Sequence, residues 1–253
     1  MNNKMNKKVL LITGASRGIG AATAIAAAKQ GYAVCINYLS DKASALKVQD
    51  QVQTLGVECI VVQADVSSES QVASLYADIE RELGSVTHLV NNVGILKTKM
   101  PLMDMDGDIF KDVLVTNVLS QFYCSKEAIQ RMATSRGGQG GAIVNVSSGA
   151  AKSGSPFEYV DYAASKGAVD TFTVGLAKEV AAEGIRVNCV RPGGIHTDIH
   201  KDGGEPDRVD RIAKNFPMQR GGQPEEVANA ILWLLSDEAS FVTGSFTDLC
   251  GGL

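Results

Sequence analysis

The chain has no paired cysteine spacing, no basic excess and no long apolar run, and each absence removes a class of function. Its five cysteines, Cys35, Cys59, Cys124, Cys189 and Cys250, are odd in number, scattered, and never spaced Cys-x-x-Cys. That pattern fits reduced, buried thiols rather than a disulfide or zinc framework. No group of His, Cys and Asp has metal-ligand spacing, so no metal is expected. The formal net charge of -4 leaves no basic surplus, which argues against nucleic acid and anionic membranes as partners. No stretch approaches the ~20 apolar residues that span a bilayer. The polar start MNNKMNKK is followed by only VLLIT, too short for the apolar core of a signal peptide. A cytoplasmic protein is expected, with residues 1–6 as a flexible tail.

What is present is an ordinary globular composition, 45% hydrophobic and 21% charged, in 253 residues with 26 glycines. Short apolar runs at 8–13, 32–38, 57–63, 87–92, 141–148, 185–190 and 245–249 read as strands, with helical patterns between them. The runs are nearly continuous rather than alternating, as in strands covered on both faces. Strand–helix alternation of this period predicts right-handed crossovers. The expected fold is α/β: one doubly wound Rossmann-type domain over 1–253, with a mostly parallel seven-stranded sheet and helices on both faces. Residues 135–141, SRGGQGG, read as a flexible loop. Residues 193–216 begin with a glycine-rich, aperiodic stretch after the sixth strand, which suits a substrate lid at the C-terminal edge of the sheet.

Directly after the first strand, at the start of a helix, stands TGASRGIG, residues 13–20. Gly14 permits the tight turn, Gly18 the close approach of a pyrophosphate, and Gly20 close helix–strand packing. The exposed N–H groups of the following turn, with the helix dipole, suit a phosphate. Ser16, Arg17 and Ile19 share this turn. The second strand ends in Asn37-Tyr38, with no acid to hold an adenosine ribose 2′-hydroxyl, and Arg17 can offer a guanidinium to a 2′-phosphate. NADP(H) is therefore the expected cofactor, with NAD(H) possible. Further along, Tyr162 and Lys166 stand four apart in YAASK and so share one face of a helix. A phenol beside an ammonium is a tunable proton donor.

These motifs together resemble the short-chain dehydrogenase/reductase family over almost the whole chain. TGASRGIG is similar to its cofactor turn, Asp65-Val66 to its adenine-contacting pair, and Asn91-Asn92-Val93-Gly94 to its N-N-A-G motif with Val for Ala. Asn117 resembles the helix asparagine; Ser148, Tyr162 and Lys166 resemble the catalytic serine and Y-x-x-x-K. Pro192-Gly193-Gly194-Ile195-His196-Thr197 resembles P-G-x-I-x-T beside the nicotinamide. The resemblance implies catalysis by Asn117, Ser148, Tyr162 and Lys166. It implies cofactor contacts from Gly14, Ser16, Arg17, Gly18, Ile19, Gly20, Asn37, Tyr38, Asp65, Val66, Asn91, Val93, Gly94, Tyr162, Lys166, Pro192, Gly193, Ile195 and Thr197.

Ser148 precedes Tyr162 by fourteen residues where the family commonly has thirteen, which locates an extra residue in the loop 152–160. Lys166 is expected to lower the Tyr162 pKa and bind the nicotinamide ribose, and Asn117 to hold a proton-relaying water. Hydride transfer between a carbonyl and a secondary alcohol follows, the substrate being a small carbonyl or alcohol. The substrate is open between 3-oxoacyl carrier-protein thioesters, with Arg131, Arg136 and Lys178 available to meet an acidic carrier, and sugars or polyols. An NAD(H)-dependent sugar/polyol dehydrogenase and a non-catalytic dinucleotide sensor are the alternatives. A homotetramer is implied by the resemblance. His196 and His200 read as solvent-exposed, and His88 as structural.

Overall fold

The computed structural model describes residues 7–253; the expected tail lies outside the described residues. In chain order the strands and helices are β1 (Val9–Ile12), α1 (Gly18–Lys29), β2 (Ala33–Tyr38), α2 (Lys42–Gln53), β3 (Cys59–Gln63), α3 (Glu69–Glu82) and β4 (His88–Asn91). There follow α4 (Gly107–Leu114), α5 (Ser120–Met132), β5 (Gly141–Val146), α6 (Ala150–Ser153), α7 (Val160–Val180) and β6 (Ile185–Pro192). The last are α8 (Ile199–Asp202), α9 (Arg208–Ala213), α10 (Pro224–Leu235) and β7 (Phe246–Leu249). A π-helical turn, Val115–Leu119, joins α4 to α5. Asp41 caps the start of α2 by accepting the Ser44 N–H at 3.0 Å.

The seven strands form one all-parallel sheet in the order β3-β2-β1-β4-β5-β6-β7. The order reverses between β1 and β4, where Leu10 pairs with Val34 on one side and His88 on the other. A ligand crevice forms outside the strand ends at such a switch point. Alternate residues feed two cores. Leu10, Ile12, Val34 and Ile36 pack with α1, α2 and α10; Val9, Leu11, Ala33 and Cys35 pack with α3, α5 and α7. Both faces being dry explains why the strands carry no polar alternation. Tyr32 packs edge-on to His88, whose burial pushes its pKa down to about 4, which makes His88 a neutral structural ring.

The segment 135–141 is tied down by hydrogen bonds. Gly138 N–H donates to Ala133 O at 2.9 Å, Gly140 N–H to Met132 O at 2.8 Å and Gly141 N–H to Gly184 O at 3.0 Å. A Cβ on Gly138 would lie 2.3 Å from the Met132 carbonyl, so the glycines here serve close backbone approach as well as turning.

A buried polar ladder crosses the second core beneath the site. Asn91 and Asn145 are partners in register. The Asn91 amide donates to Asn145 Oδ1 at 2.9 Å and to Ser125 Oγ at 3.0 Å, and the Asn145 amide donates to Thr173 Oγ1 at 2.9 Å. The ladder joins β4 and β5 to α5 and α7, and so fixes α7 against the strand that leads to Ser148. Asn145→Leu leaves buried polar groups without a partner, and the expected loss of stability is about 1–3 kcal/mol, read as a lower midpoint in urea unfolding.

Candidate active site

Four strand ends build a cradle around the glycine turn. Gly14 and Gly18 have φ of +62° and +57°, where side-chain-bearing residues are strained. A Cβ on Gly20 would stand 2.7 Å from both Gly14 O and Asn92 Nδ2, so α1 lies against the turn only with glycine there. Asn37 Oδ1 accepts the Gly14 N–H at 3.2 Å while its amide donates to Ala64 O at 3.0 Å. The Asn92 amide donates to Thr13 O at 2.9 Å and Gly14 O at 3.1 Å. No side chain caps α1, so its first N–H groups stay open to the cavity. Backbone donors at the start of a twelve-residue helix, glycines at each close approach and a carboxylate-free β2 end fit a dinucleotide diphosphate.

The cavity extends from this cradle, in a volume of about 1120 Å³, past Gly94, Ser148, Tyr162 and Lys166 to the segment 193–216. Tyr162 and Lys166 share one face of α7, with Lys166 Nζ 5.5 Å from the Tyr162 ring centroid. Nζ donates to Val146 O at 2.9 Å, and Gly94 leaves the space beside it. Ser148 stands beside Tyr162 on the cavity wall, its Oγ accepting the Ala150 N–H at 3.1 Å and donating to Pro192 O at 3.5 Å. Ser147 Oγ turns the other way and donates to Lys166 O at 3.2 Å, which ties β5 to α7. Ser148 is therefore the serine facing the site.

Burial dominates the electrostatics. It pushes the Tyr162 phenol up to about 12, opposed by the nearby Ser148 hydroxyl, and pushes Lys166 down to about 8. The expectation that Lys166 depresses the phenol is corrected among the protein's own groups. The ammonium lies over the ring and on a backbone carbonyl, and desolvation outweighs its field.

Asn117 sits within the π-helical turn. Its amide donates to Ile95 O at 3.1 Å and Ser165 Oγ at 3.0 Å, and its Oδ1 accepts the Ile95 N–H at 2.7 Å. The side chain thus fastens the loop after β4 to α7. Of the residues expected at the site, Gly20, Asn91 and Asn117 stand behind the cavity wall, and the others line it. Asn91 belongs to the polar ladder, and its neighbour Asn92 takes the wall position. The Asn91-Asn92 doublet signalled the site, but which of the two faces inward depends on the strand's register.

Two segments close the far side. The loop with the extra residue turns through Ser155 at φ +41° and Phe157 at φ +64°, and leaves Phe157 82% exposed. The segment 193–216 contains α8 and α9 where no periodicity suggested helices. Glu158 pairs with Arg208 at 2.6 Å and Arg211 at 3.1 Å, and Arg208 reaches Glu205 at 3.1 Å. Arg208 also stacks 4.8 Å over the Tyr159 ring. The guanidiniums, Arg211 first, hold Glu205 down to about 2. His200, expected in solvent, is partly buried against the cavity, and its Nε2 lies 3.1 Å from Ile195 O. Cys250, unlike the four buried cysteines, is half-buried and lines the cavity wall. Arg131, Arg136 and Lys178 lie at the opposite edge of the sheet, near the start of β5 and the end of α7. They cannot meet a carrier at the cavity mouth.

Residues 14–253 match the family model described as enoyl-(acyl carrier protein) reductase. The chain is 55% identical to an uncharacterized oxidoreductase, YgfF, of Escherichia coli strain K12, over 96% of this chain and 99% of the relative. It is 36% identical to a 3-oxoacyl-(acyl-carrier-protein) reductase, FabG, of Staphylococcus epidermidis, over 98% and 99% of the two chains. It is 38% identical to an NADPH-dependent aldehyde reductase-like chloroplastic protein of Arabidopsis thaliana, over 97% and 93%.

A free phenol ionises near ~10, so Tyr162, part-buried in the cavity wall and pushed up by desolvation, separates from exposed tyrosines in a titration. The tyrosine ring NMR signal that disappears in Tyr162→Phe should keep its protonated position at about pH 10.5, where exposed tyrosines have largely shifted. Ionisation alongside those tyrosines would contradict burial as the dominant cause.

Proposed function

This chain belongs to the short-chain dehydrogenase/reductase family, and we propose that within it the protein is an NADP(H)-dependent reductase of a free, small carbonyl compound. It is an NAD(P)-dependent oxidoreductase by family. The observation that carries the finer reading is the placement of Ser148 beside Tyr162, one helical turn from buried Lys166, in the cavity that begins at the glycine turn.

The cofactor, when bound, supplies the hydride. Gly14, Gly18 and the open N–H groups of α1 would hold its diphosphate, Asp65 and Val66 its adenine end, and Lys166 its ribose. Ser148 Oγ orients the substrate carbonyl and stabilises the charge that develops on its oxygen. Tyr162 Oη then gives its proton to that oxygen. A phenol held near 12 is fully protonated at neutral pH, which suits the reductive direction. With the Asn117 side chain engaged on Ile95 and Ser165, a relay water would be held by its main chain. Leu96, Ile199, Ile212 and Phe216 line the substrate side, an apolar wall for an uncharged molecule.

NADP(H) preference rests on Arg17 and on the absence of an acid at Asn37-Tyr38, and the relative named as an NADPH-dependent aldehyde reductase-like protein supports it. Carrier-borne thioesters, suggested by the relative named FabG, fit less well. Lys152 and Arg208 on the cavity wall, and Lys99 and Arg211 beside Glu205, are each paired with a carboxylate, which leaves only the exposed Lys201 and Lys214 of the 193–216 segment to meet an acidic carrier. The segment 193–216 acts as the substrate lid of a single cytoplasmic domain. Exposed Leu119, Phe122, Trp233 and Phe241 suit a homotetramer, as the family resemblance implies.

NADPH oxidation against a panel of aldehydes, diketones, sugars and acyl thioesters names the substrate. Tyr162→Phe should lower kcat by about 10²–10⁴. Ser148→Ala should lower it by about 10²–10³, and Ser147→Ala should leave most of it. Equal losses for the two serines would remove Ser148 from the proposed role, and a panel active only with NADH would remove the NADP(H) reading.

A further inference from the structure

Arg17 has two claimants. It sits at the start of α1 facing the end of β2, close enough to help lower the Asp41 carboxyl. It also reaches across the cavity mouth to the segment after β6. There its guanidinium pairs with Asp202 at the end of α8 and lies 3.9 Å from Asp198 just before α8. The same guanidinium that the proposed function assigns to a 2′-phosphate is thus held by two carboxylates of the lid.

The two anchors of that lid differ in strength. On the substrate side, Glu158, Glu205, Arg208 and Arg211 form a mutually bonded cluster with Lys99 at its edge, and Arg208 is shielded against Tyr159. On the cofactor side, Arg17 and Asp202 are both about half exposed. An exposed pair contributes little and gives way to a stronger partner. A phosphate monoester carries roughly two negative charges near pH 7 and offers a guanidinium bidentate geometry. It also repels Asp198 and Asp202.

We propose that Asp202, assisted by Asp198, is a cofactor-specificity residue: it occupies Arg17 until a 2′-phosphate takes the guanidinium, and that exchange frees the cofactor-side edge of the lid. NADH leaves the latch closed; NADPH opens it, with the Glu158–Arg208–Glu205 cluster as the fixed side. Coupling of this kind is reciprocal, so removing the latch must also favour the 2′-phosphate. The inference rests on the reading of Arg17 as the 2′-phosphate ligand, and the experiment separates the two.

Binding constants for NADPH and NADH are measured by calorimetry on wild type, Asp202→Asn, Arg17→Gln and the double variant. Hydrogen exchange of the peptide over residues 198–204 is followed without cofactor. The expected result is an NADPH constant about two- to five-fold tighter in Asp202→Asn. NADH should change less than about two-fold, and the gain should vanish in the Arg17→Gln background. Exchange over 198–204 should be faster in both single variants. If the gain persists without Arg17, Asp202 acts by simple repulsion and the latch is overturned. If wild type binds NADH more tightly and Arg17→Gln leaves NADPH binding unchanged, the NADP(H) reading has failed. The proposed specificity role of Asp202 fails with it, and faster exchange in both variants then establishes only an ion pair holding the lid. Unchanged exchange in both variants overturns the latch whatever the cofactor preference.

Discussion

Parallel pairing throughout the sheet is the constraint on which the site depends. With every strand running the same way, the C-terminal ends of β1, β4, β5 and β6 emerge at one edge. The glycine turn, Asn92 and Gly94, Ser148 and the Pro192 segment all follow directly from those ends. One antiparallel strand would send its loop to the far edge, where Arg131 and Lys178 in fact lie. The reversal of strand order at β1 and β4 then opens the crevice.

Within that frame, burial sets the chemistry. Lys166 is among the largest fully covered side chains of the protein, and its only hydrogen bond among the described residues goes to the Val146 carbonyl. Desolvation weakens the ammonium and strengthens the hold on the Tyr162 proton. In the proposed reduction such a phenol would give up its proton only to charge developing on the carbonyl oxygen as hydride arrives. Asn117, Ser147 and the Asn91–Asn145–Thr173 ladder act one layer back, holding α7 against β5 so that Tyr162 and Ser148 stay side by side on the cavity wall.

Most cations on the cavity wall and beside it are held in ion pairs. An enzyme that draws in a charged protein carrier gains from an unpaired field of one sign. Here Lys99, Lys152, Arg208 and Arg211 are each met by a carboxylate, and the Glu158 pairs with Arg208 and Arg211 fasten the 193–216 segment to the loop with the extra residue.

The sequence by itself determined the sheet, its crossovers, the glycine turn and the Tyr162–Lys166 face. Each of these depends on residues within one strand, turn or helical period, so local pattern suffices. The two short helices α8 and α9 escaped it because four and six residues hold too little periodicity to read. Tertiary structure decided which of Asn91 and Asn92 faces the cavity, because packing against α5 chooses the side. It also decided the direction of the Tyr162 shift, since desolvation is a property of everything packed around a group. The partner of Arg17 was beyond sequence reading for the same reason. Asp202 stands 185 residues away, and only the closure of the parallel sheet brings the first βα turn and the segment after β6 to the same edge.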